Sequence, residues 1–262
     1  METDGKNGPA FNPYVSVDCV LFGYDGERLM VLLVRQSEAS SSPQQGPAPQ
    51  APRLADETAP STLKLPGSII YKEEDLDEAA QRVLYELTGL KNIPLHQFHA
   101  FGDKNRTSNP RDVRWLRRFH GLDASFERIV TVAYFALLKI NRRIAPLSSD
   151  YEACWMPLDG LGFLAFDHNR IIESAREYLY RHAETNPDIL FNILPRKFTA
   201  AELRRLFEVF YGQTYDVRNF HKKMARMPYV CPLDEREKGV PHRAARYYRF
   251  DRVCYNQFRK IK

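Results

Sequence analysis

The sequence predicts an α/β (α+β) domain followed by a smaller basic module of helices and a β-ribbon. Three observations predict it. Strand-like segments alternate with amphipathic helical ones through most of the chain, which is the pattern of helices packed on a sheet. Near residue 190 the patterning changes to closely spaced, individually capped helices. The charge changes sign there too: residues 196–262 carry 17 lysines and arginines against 7 aspartates and glutamates, a balance of +10, whereas residues 1–195 balance at −5. Such asymmetry points to a basic module with a polyanionic partner; a solvated basic surface is the bland alternative.

The bulk composition sets the bounds. A chain of 262 residues with 44% apolar and 12% aromatic residues can bury a core in one large or two smaller domains and is not wholly disordered. The start, METDGKNGPAFNP, has no apolar run of the kind a signal peptide needs, and the longest apolar stretch, within IVTVAYFALL, is too short to cross a bilayer. A cytoplasmic protein without a membrane partner is the expectation. Cys19, Cys154, Cys231 and Cys254 form no CxxC pair, so they read as unpaired thiols, and neither a metal site nor a cofactor is expected.

Along the chain, residues 14–24 and 28–35 alternate around the turn DGE and predict a hairpin. Residues 37–62, with five prolines in the stretch SEASSSPQQGPAPQAPRLADETAPS, read as a disordered insertion. Between Asp75 and Thr88, Leu76, Ala79, Ala80, Val83, Leu84 and Leu87 recur at threes and fours, one stripe of an amphipathic helix stopped by Gly89. Strands are predicted over 96–102, over 129–140 and near 154–157, and a long helix over 169–183. The basic aromatic segment DVRWLRRFHGL reads as a lid or interface helix, or as an amphipathic helix packed on the domain.

The segment LPGSIIYKEEDLDEAAQRVLYELTGL resembles the Nudix box, a Gly, a Glu six residues on, and then Arg-Glu, an apolar residue, any residue, Glu-Glu, any residue, Gly and an apolar residue. Glu74, Arg82, Glu86, Gly89 and Leu90 match, while Ser68, Val83 and Leu87 replace Gly, Glu and Glu. Hydrolysis of a nucleoside diphosphate derivative needs hard oxygen ligands gathered around Mg²⁺. Carboxylates at 83, 86 and 87 would share one helix face, and only Glu86 is left there. The resemblance therefore implies a catalytically inactive Nudix-type mixed-sheet α/β/α sandwich over residues 1–190 that senses a ligand. Its candidate pocket residues are Glu74, Arg82, Glu86, Asp103 and Arg106, with a structural ion pair as the alternative for each. An active Mg²⁺-dependent hydrolase with an accessory basic domain is the alternative.

Residues 191–262 predict the second domain. Thr199 and Glu202 form a capping box ahead of Leu203, Leu206, Phe207 and Phe210, with Gly212 as the stop. Asp216 can cap a second helix, DVRNFHKKMARM, whose Val217, Phe220, Met224 and Met227 make a narrow apolar stripe. An adjacent exposed stripe offers Arg218, Lys222 and Arg226, with Asn219 and Lys223 beside it, the side-chain types that reach bases and phosphates. Two β-like segments follow, with Lys238, Arg243 and Arg246 near the tip, and the whole reads as a winged helix-turn-helix. An RNA-binding module is a weaker rival.

The two halves together resemble the Nudix-related transcriptional regulators, through RVLYELTGL, FGDKNR, VAYFALL, ILPRKFT, YDVRNFHKK and RYYRFD, with arabinose-type sugar regulators as the nearest likeness. The resemblance implies a homodimer on double-stranded operator DNA, released or retained by a sugar or ADP-ribose-like effector. Two recognition helices would then lie one DNA turn, about 34 Å, apart.

Overall fold

The computed structural model describes residues 11–37, 63–107, 112, 128–140, 144–147, 149–239, 241 and 243–261. Nearly all of the proline-rich insertion and of DVRWLRRFHGL lies outside them. Two compact units are present, one from Met1–Phe22, Met30–Ala136 and Asn141–Tyr178, the other from Gly23–Leu29, Leu137–Ile140 and Leu179–Lys262.

The first unit is built on strands β1 (Phe11–Tyr24), β2 (Leu29–Gln36), β3 (Leu63–Lys64), β4 (Gly67–Tyr71), β5 (His96–Phe101), β6 (Val130–Lys139) and β7 (Tyr151–Pro157). They form a seven-stranded sheet of order β3-β2-β1-β6-β5, with β4 pairing β1 and β7 pairing β2. The sequence dictates which strands are central. Val17–Gly23 and Val31–Val34 are continuous buried runs rather than alternating ones, as strands covered on both faces must be. The hairpin expected at 14–24 and 28–35 is β1 and β2 within a few residues. β4 was not expected as a strand: GSIIY is short and begins with glycine, and its antiparallel pairing to β1 supplies the order.

Helix α1 (Leu76–Thr88) begins on a capping box, with Asp75 accepting from the Glu78 amide and the Glu78 side chain accepting from the Asp75 amide. It ends on Gly89, whose φ of 75° and amide bond to the Tyr85 carbonyl close the last turn. Its stripe Ala79, Ala80, Val83 and Leu87 packs with Val17, Cys19, Val34, Ile70, Val132 and Tyr134. Helix α2 (His168–Thr185) matches the expected long helix.

In the second unit, α3 (Asp188–Phe191) is followed by β8 (Phe198–Thr199), α4 (Ala200–Tyr211), α5 (Val217–Ala225), β9 (Val230–Arg236), β10 (Arg246–Phe250) and α6 (Arg252–Ile261). The C-terminal segment of this unit runs from Leu179, inside α2, and so takes in the end of that helix as well as the residues after the expected 190/191 boundary. The reason is packing: the Tyr180 ring meets Phe210 at 4.9 Å, and Phe191 stacks on Phe250 at 4.6 Å. Strands β8, β10 and β9 form a three-stranded antiparallel sheet in that order. Thr199 and Glu202 make the expected capping box and Gly212 the expected left-handed stop. α5 stops at Ala225, short of the expected Met227, because Pro228 disfavours helical backbone before it. α6 was not expected; its polar text hides a start capped by Asp251, which accepts from the Val253 and Cys254 amides. Among the described residues no helix is long and apolar enough to cross a membrane.

Candidate nucleic-acid face and the degenerate carboxylate helix

Helix α5 presents the two faces its sequence implies. Phe220 and Met224 are buried, the Phe220 ring meeting Phe207 at 5.6 Å and Tyr215 at 5.5 Å. Arg218, Asn219, Lys222 and Arg226 are exposed. Asp216 anchors the start by accepting from the Asn219 amide at 3.0 Å. Asn219, Lys222, Lys223, Arg226 and Met227 line a shallow open depression. A helix held from behind by aromatic rings and offering guanidinium, ammonium and amide groups in front has the build of a groove-reading element.

Two expected contacts are assigned differently by the geometry. Lys223 is half-buried; its Nζ lies 4.7, 5.1 and 5.7 Å from the ring centres of Tyr215, Phe207 and Tyr211 and donates to the Tyr215 hydroxyl at 3.2 Å. Its ammonium is thus spent on an aromatic cage inside its own domain, because Lys223 follows Lys222 by 100° around the helix toward the buried side. Arg246 is exposed, yet its Nε donates to the Leu233 carbonyl at 2.8 Å and its guanidinium pairs with Asp234 at 3.1 Å, so it braces the wing. Lys238 and Arg243 are exposed at the wing tip, as expected.

In the first unit Glu74, Arg82 and Glu86 bond to one another, whereas Asp103 and Arg106 bond to other partners. Arg82 donates to Glu74 through Nε at 2.8 Å and through Nη2, and to Glu86 through Nη1 at 3.1 Å. Its guanidinium also lies 3.8 Å over the Tyr71 ring, a contact the sequence did not disclose. Burial alone would raise the Glu74 carboxyl; the Arg82 hydrogen bonds and the Tyr71 amide hold it below its ordinary value. The cluster is a closed ion pair rather than the plain surface pair that spacing alone allows.

The Nudix resemblance implies Mg²⁺, and the residues present do not fit it. Val83 is fully buried and Leu87 nearly so, both in the α1 core stripe, where carboxylates would be needed. Glu74 already accepts from Arg82 and the Tyr71 amide with its two oxygens, leaving Glu86, half-buried and itself paired with Arg82, as the one other carboxylate at the matched box positions. A guanidinium sits where the remaining acids converge.

Arg106, expected in the pocket, is buried and structural. It forms a bidentate pair with Asp167, at 2.9 Å through Nη2, approaches Asp18 at 3.7 Å and donates to the Ile129 carbonyl at 2.9 Å. Asp18 also accepts from Thr131 at 2.7 Å and faces His168 Nε2 at 3.4 Å. Since His168 Nδ1 accepts from the Leu65 amide at 2.9 Å, Nε2 is the nitrogen that carries the proton toward Asp18. Burial alone would raise the Asp18 carboxyl, but His168, Arg106 and Thr131 together drive it far below the usual range. Asp103 is exposed and accepts from the Asn105 amide at 2.8 Å, so it shapes a turn. No local signal marked this network, because its members come from positions 18, 106, 131, 167 and 168.

Residues 12–178 match the NUDIX domain, and residues 190–250 match the NrtR DNA-binding winged helix domain. The chain is 27% identical over 243 residues to an ADPR-responsive transcriptional repressor, NtrR, of Acinetobacter baylyi, covering 91% of this chain and 82% of that protein. The crystal structure of Shewanella oneidensis NrtR complexed with a 27mer DNA superposes with a TM-score of 0.59 at 27% identity, covering 92% of this chain and 95% of that one. A second crystal structure of Shewanella oneidensis NrtR gives 0.58 at 28% identity, over 90% and 94%.

Proposed function

The chain belongs to the NUDIX family, with a winged helix-turn-helix domain following the Nudix fold, and on that premise we propose that it is a transcriptional regulator whose affinity for double-stranded operator DNA is set by an ADP-ribose-type effector. One observation carries the reading: α5 is docked by Phe220 and Met224 and exposes Arg218, Asn219, Lys222 and Arg226 beside a three-stranded wing. Arg218 and Asn219 read base edges; Lys222, Arg226, Lys238 and Arg243 hold phosphates or the minor groove. The Acinetobacter relative's response to ADPR supports ADP-ribose as the effector class over the arabinose-type sugar expected from the nearest likeness. The regulator acts as a homodimer on a symmetric site, as two-fold operators require. The Nudix unit senses and does not hydrolyse, which the buried Val83 and Leu87 support.

The test is a fluorescence anisotropy titration of the purified protein with its own upstream DNA, run with and without ADP-ribose in EDTA. Sequence-selective binding that ADP-ribose releases is the expected result. Equal affinity for all sequences would overturn the operator reading, and an operator affinity untouched by ADP-ribose and by sugars would overturn the sensing. The hydrolase alternative keeps Glu74, Arg82 and Glu86 in its favour, and Mg²⁺-dependent turnover of ADP-ribose that disappears in Glu86→Gln would establish it.

A further inference from the structure

The antiparallel ladder of β9 and β10 sets Arg249 opposite Cys231 and Phe250 opposite Val230. The chain then turns into α6 under two constraints. The Asp251 amide donates to the Tyr229 carbonyl at 2.8 Å, which ties the turn to the start of β9. The Asp251 carboxylate accepts from the Val253 and Cys254 amides, each at 3.0 Å, which caps α6 and fixes Cys254 in its first turn. Strand, cap and helix thus bring the Cys231 Sγ, the Cys254 Sγ and a carboxylate oxygen of Asp251 within 4.8 Å of one another, all on half-buried residues. Backbone hydrogen bonds hold the arrangement, and the Cys231 thiol donates to the Pro228 carbonyl at 3.7 Å, a bond it gives up when it loses its proton.

We propose that Cys231, Asp251 and Cys254 form a zinc site that pins the first turn of α6 to the wing. Two sulfurs and one carboxylate suit Zn²⁺, whereas Mg²⁺ and Ca²⁺ select oxygen alone. With Zn–S bonds of about 2.3 Å, tetrahedral sulfurs stand roughly 3.7 Å apart, so the ligand atoms need to close by about 1 Å at most. The fourth position takes water. Each thiol loses its proton on binding, so one Zn²⁺ enters and two protons leave. The competing cation is Arg249, whose guanidinium lies 3.3 Å from the second Asp251 oxygen. It is exposed and swings to solvent when the carboxylate turns to the metal. The scattered spacing of 231, 251 and 254 hides the site from sequence motifs, because the ladder and not the chain order brings the ligands together.

The experiment is cobalt substitution of the full-length protein, stripped with chelator and kept reduced under argon. One equivalent of Co²⁺ is expected to give a thiolate-to-cobalt charge-transfer band in the near ultraviolet that stoichiometric Zn²⁺ bleaches. Cys231→Ser and Cys254→Ser are expected to weaken zinc binding by at least roughly 100-fold, beyond the loss of an outer-shell partner. Cys154→Ser retains the band, and Arg249→Ala retains or strengthens it, which guards against a result that merely reflects misfolding. A folded wild type with no charge-transfer band would overturn the proposal. So would a band that survives both serine variants, or two thiols that oxidise to a disulfide while the reduced protein takes up no metal.

Discussion

Lys222 and Lys223 are neighbours of identical chemistry in different surroundings, and a pair of alanine variants separates the DNA contact proposed for the first from the packing of the second. Lys222 is exposed on α5; Lys223 is enclosed by Phe207, Tyr211 and Tyr215 at 4.7 to 5.7 Å and bonded to the Tyr215 hydroxyl. Losing one phosphate contact flattens the dependence of log K on log salt by about 0.9. Between 50 and 200 mM NaCl, a fourfold range, Lys222→Ala therefore closes its affinity gap with the wild type by about 3.5-fold, equally on operator and unrelated DNA. Its amide exchange is expected to match that of the wild type. Lys223→Ala leaves the salt slope alone and removes a partly desolvated cation–π cluster of about 1 kcal/mol, or roughly fivefold in an opening equilibrium. Hydrogen exchange by mass spectrometry over residues 200–225 is expected to quicken by that factor. Anisotropy at four salt concentrations and the exchange measurement decide together. A Lys222→Ala loss confined to operator DNA would make Lys222 a base contact, and a flattened slope in Lys223→Ala with unchanged exchange would refute the cage.

Other outcomes follow from the first unit. A Cβ added at Gly67 would stand 1.9 Å from Asp18 Oδ1 and 2.9 Å from the Val17 carbonyl, so Gly67→Ala is expected to lower the urea midpoint by the equivalent of about 2–3 kcal/mol; an unchanged midpoint would contradict the packing. Arg106→Leu leaves the buried Asp18 and the half-buried Asp167 without their guanidinium and is expected to cost about 3–5 kcal/mol in the same assay. The Asp18 carboxyl is depressed in the folded state, so its stabilisation is complete above its unfolded value near pH 4 and is lost as pH falls below that. The deficit of Asp18→Asn is therefore expected at pH 6 and shrinks toward pH 3; a deficit independent of pH would show that the charge is not what counts. Val83→Glu places a carboxylate at a fully buried position and is expected to destabilise the domain rather than confer turnover, checked by thermal unfolding beside an ADP-ribose assay with Mg²⁺.

The architecture was legible wherever one period ran long enough. The α1 stripe from Leu76 to Leu87 and the capping box at Thr199 and Glu202 needed only local text, and both occur as read. β4 and α6 were missed because their order comes from elsewhere: β4 from pairing with β1, α6 from a cap whose turn is tied to Tyr229. The candidate site divided along the same line. Arg82 with Glu74 and Glu86 lies within one helix and its approach, so spacing brought the residues together, although it did not reveal the Tyr71 ring beneath them. Arg106 entered as a pocket candidate through the resemblance, and sequence could not show its partners, since Asp167 is 61 residues away and Asp18 further still. Charge pattern on a helix told which residues were cationic; only the positions of Phe207, Tyr211 and Tyr215 told which cation was already engaged.

Sensing and hydrolysis differ in a way that thermodynamics makes measurable. If ADP-ribose weakens operator binding by some factor, operator must weaken ADP-ribose binding by the same factor, since both routes join the same four states. A coupling of about 1–3 kcal/mol corresponds to about 5–150-fold, well within reach of calorimetry. The ADP-ribose affinity is measured with and without saturating operator, and the ratio is compared with the shift in DNA affinity. Equality in both EDTA and Mg²⁺ is the expected outcome for a box in which Val83 and Leu87 are core residues and Arg82 closes on Glu74 and Glu86. Equality in EDTA that fails in Mg²⁺ would mean that the nucleotide is being consumed, because a steady state with turnover is not bound by linkage. Inequality in EDTA would refute the single two-state coupling itself and leave DNA binding and effector binding as separate properties of the chain.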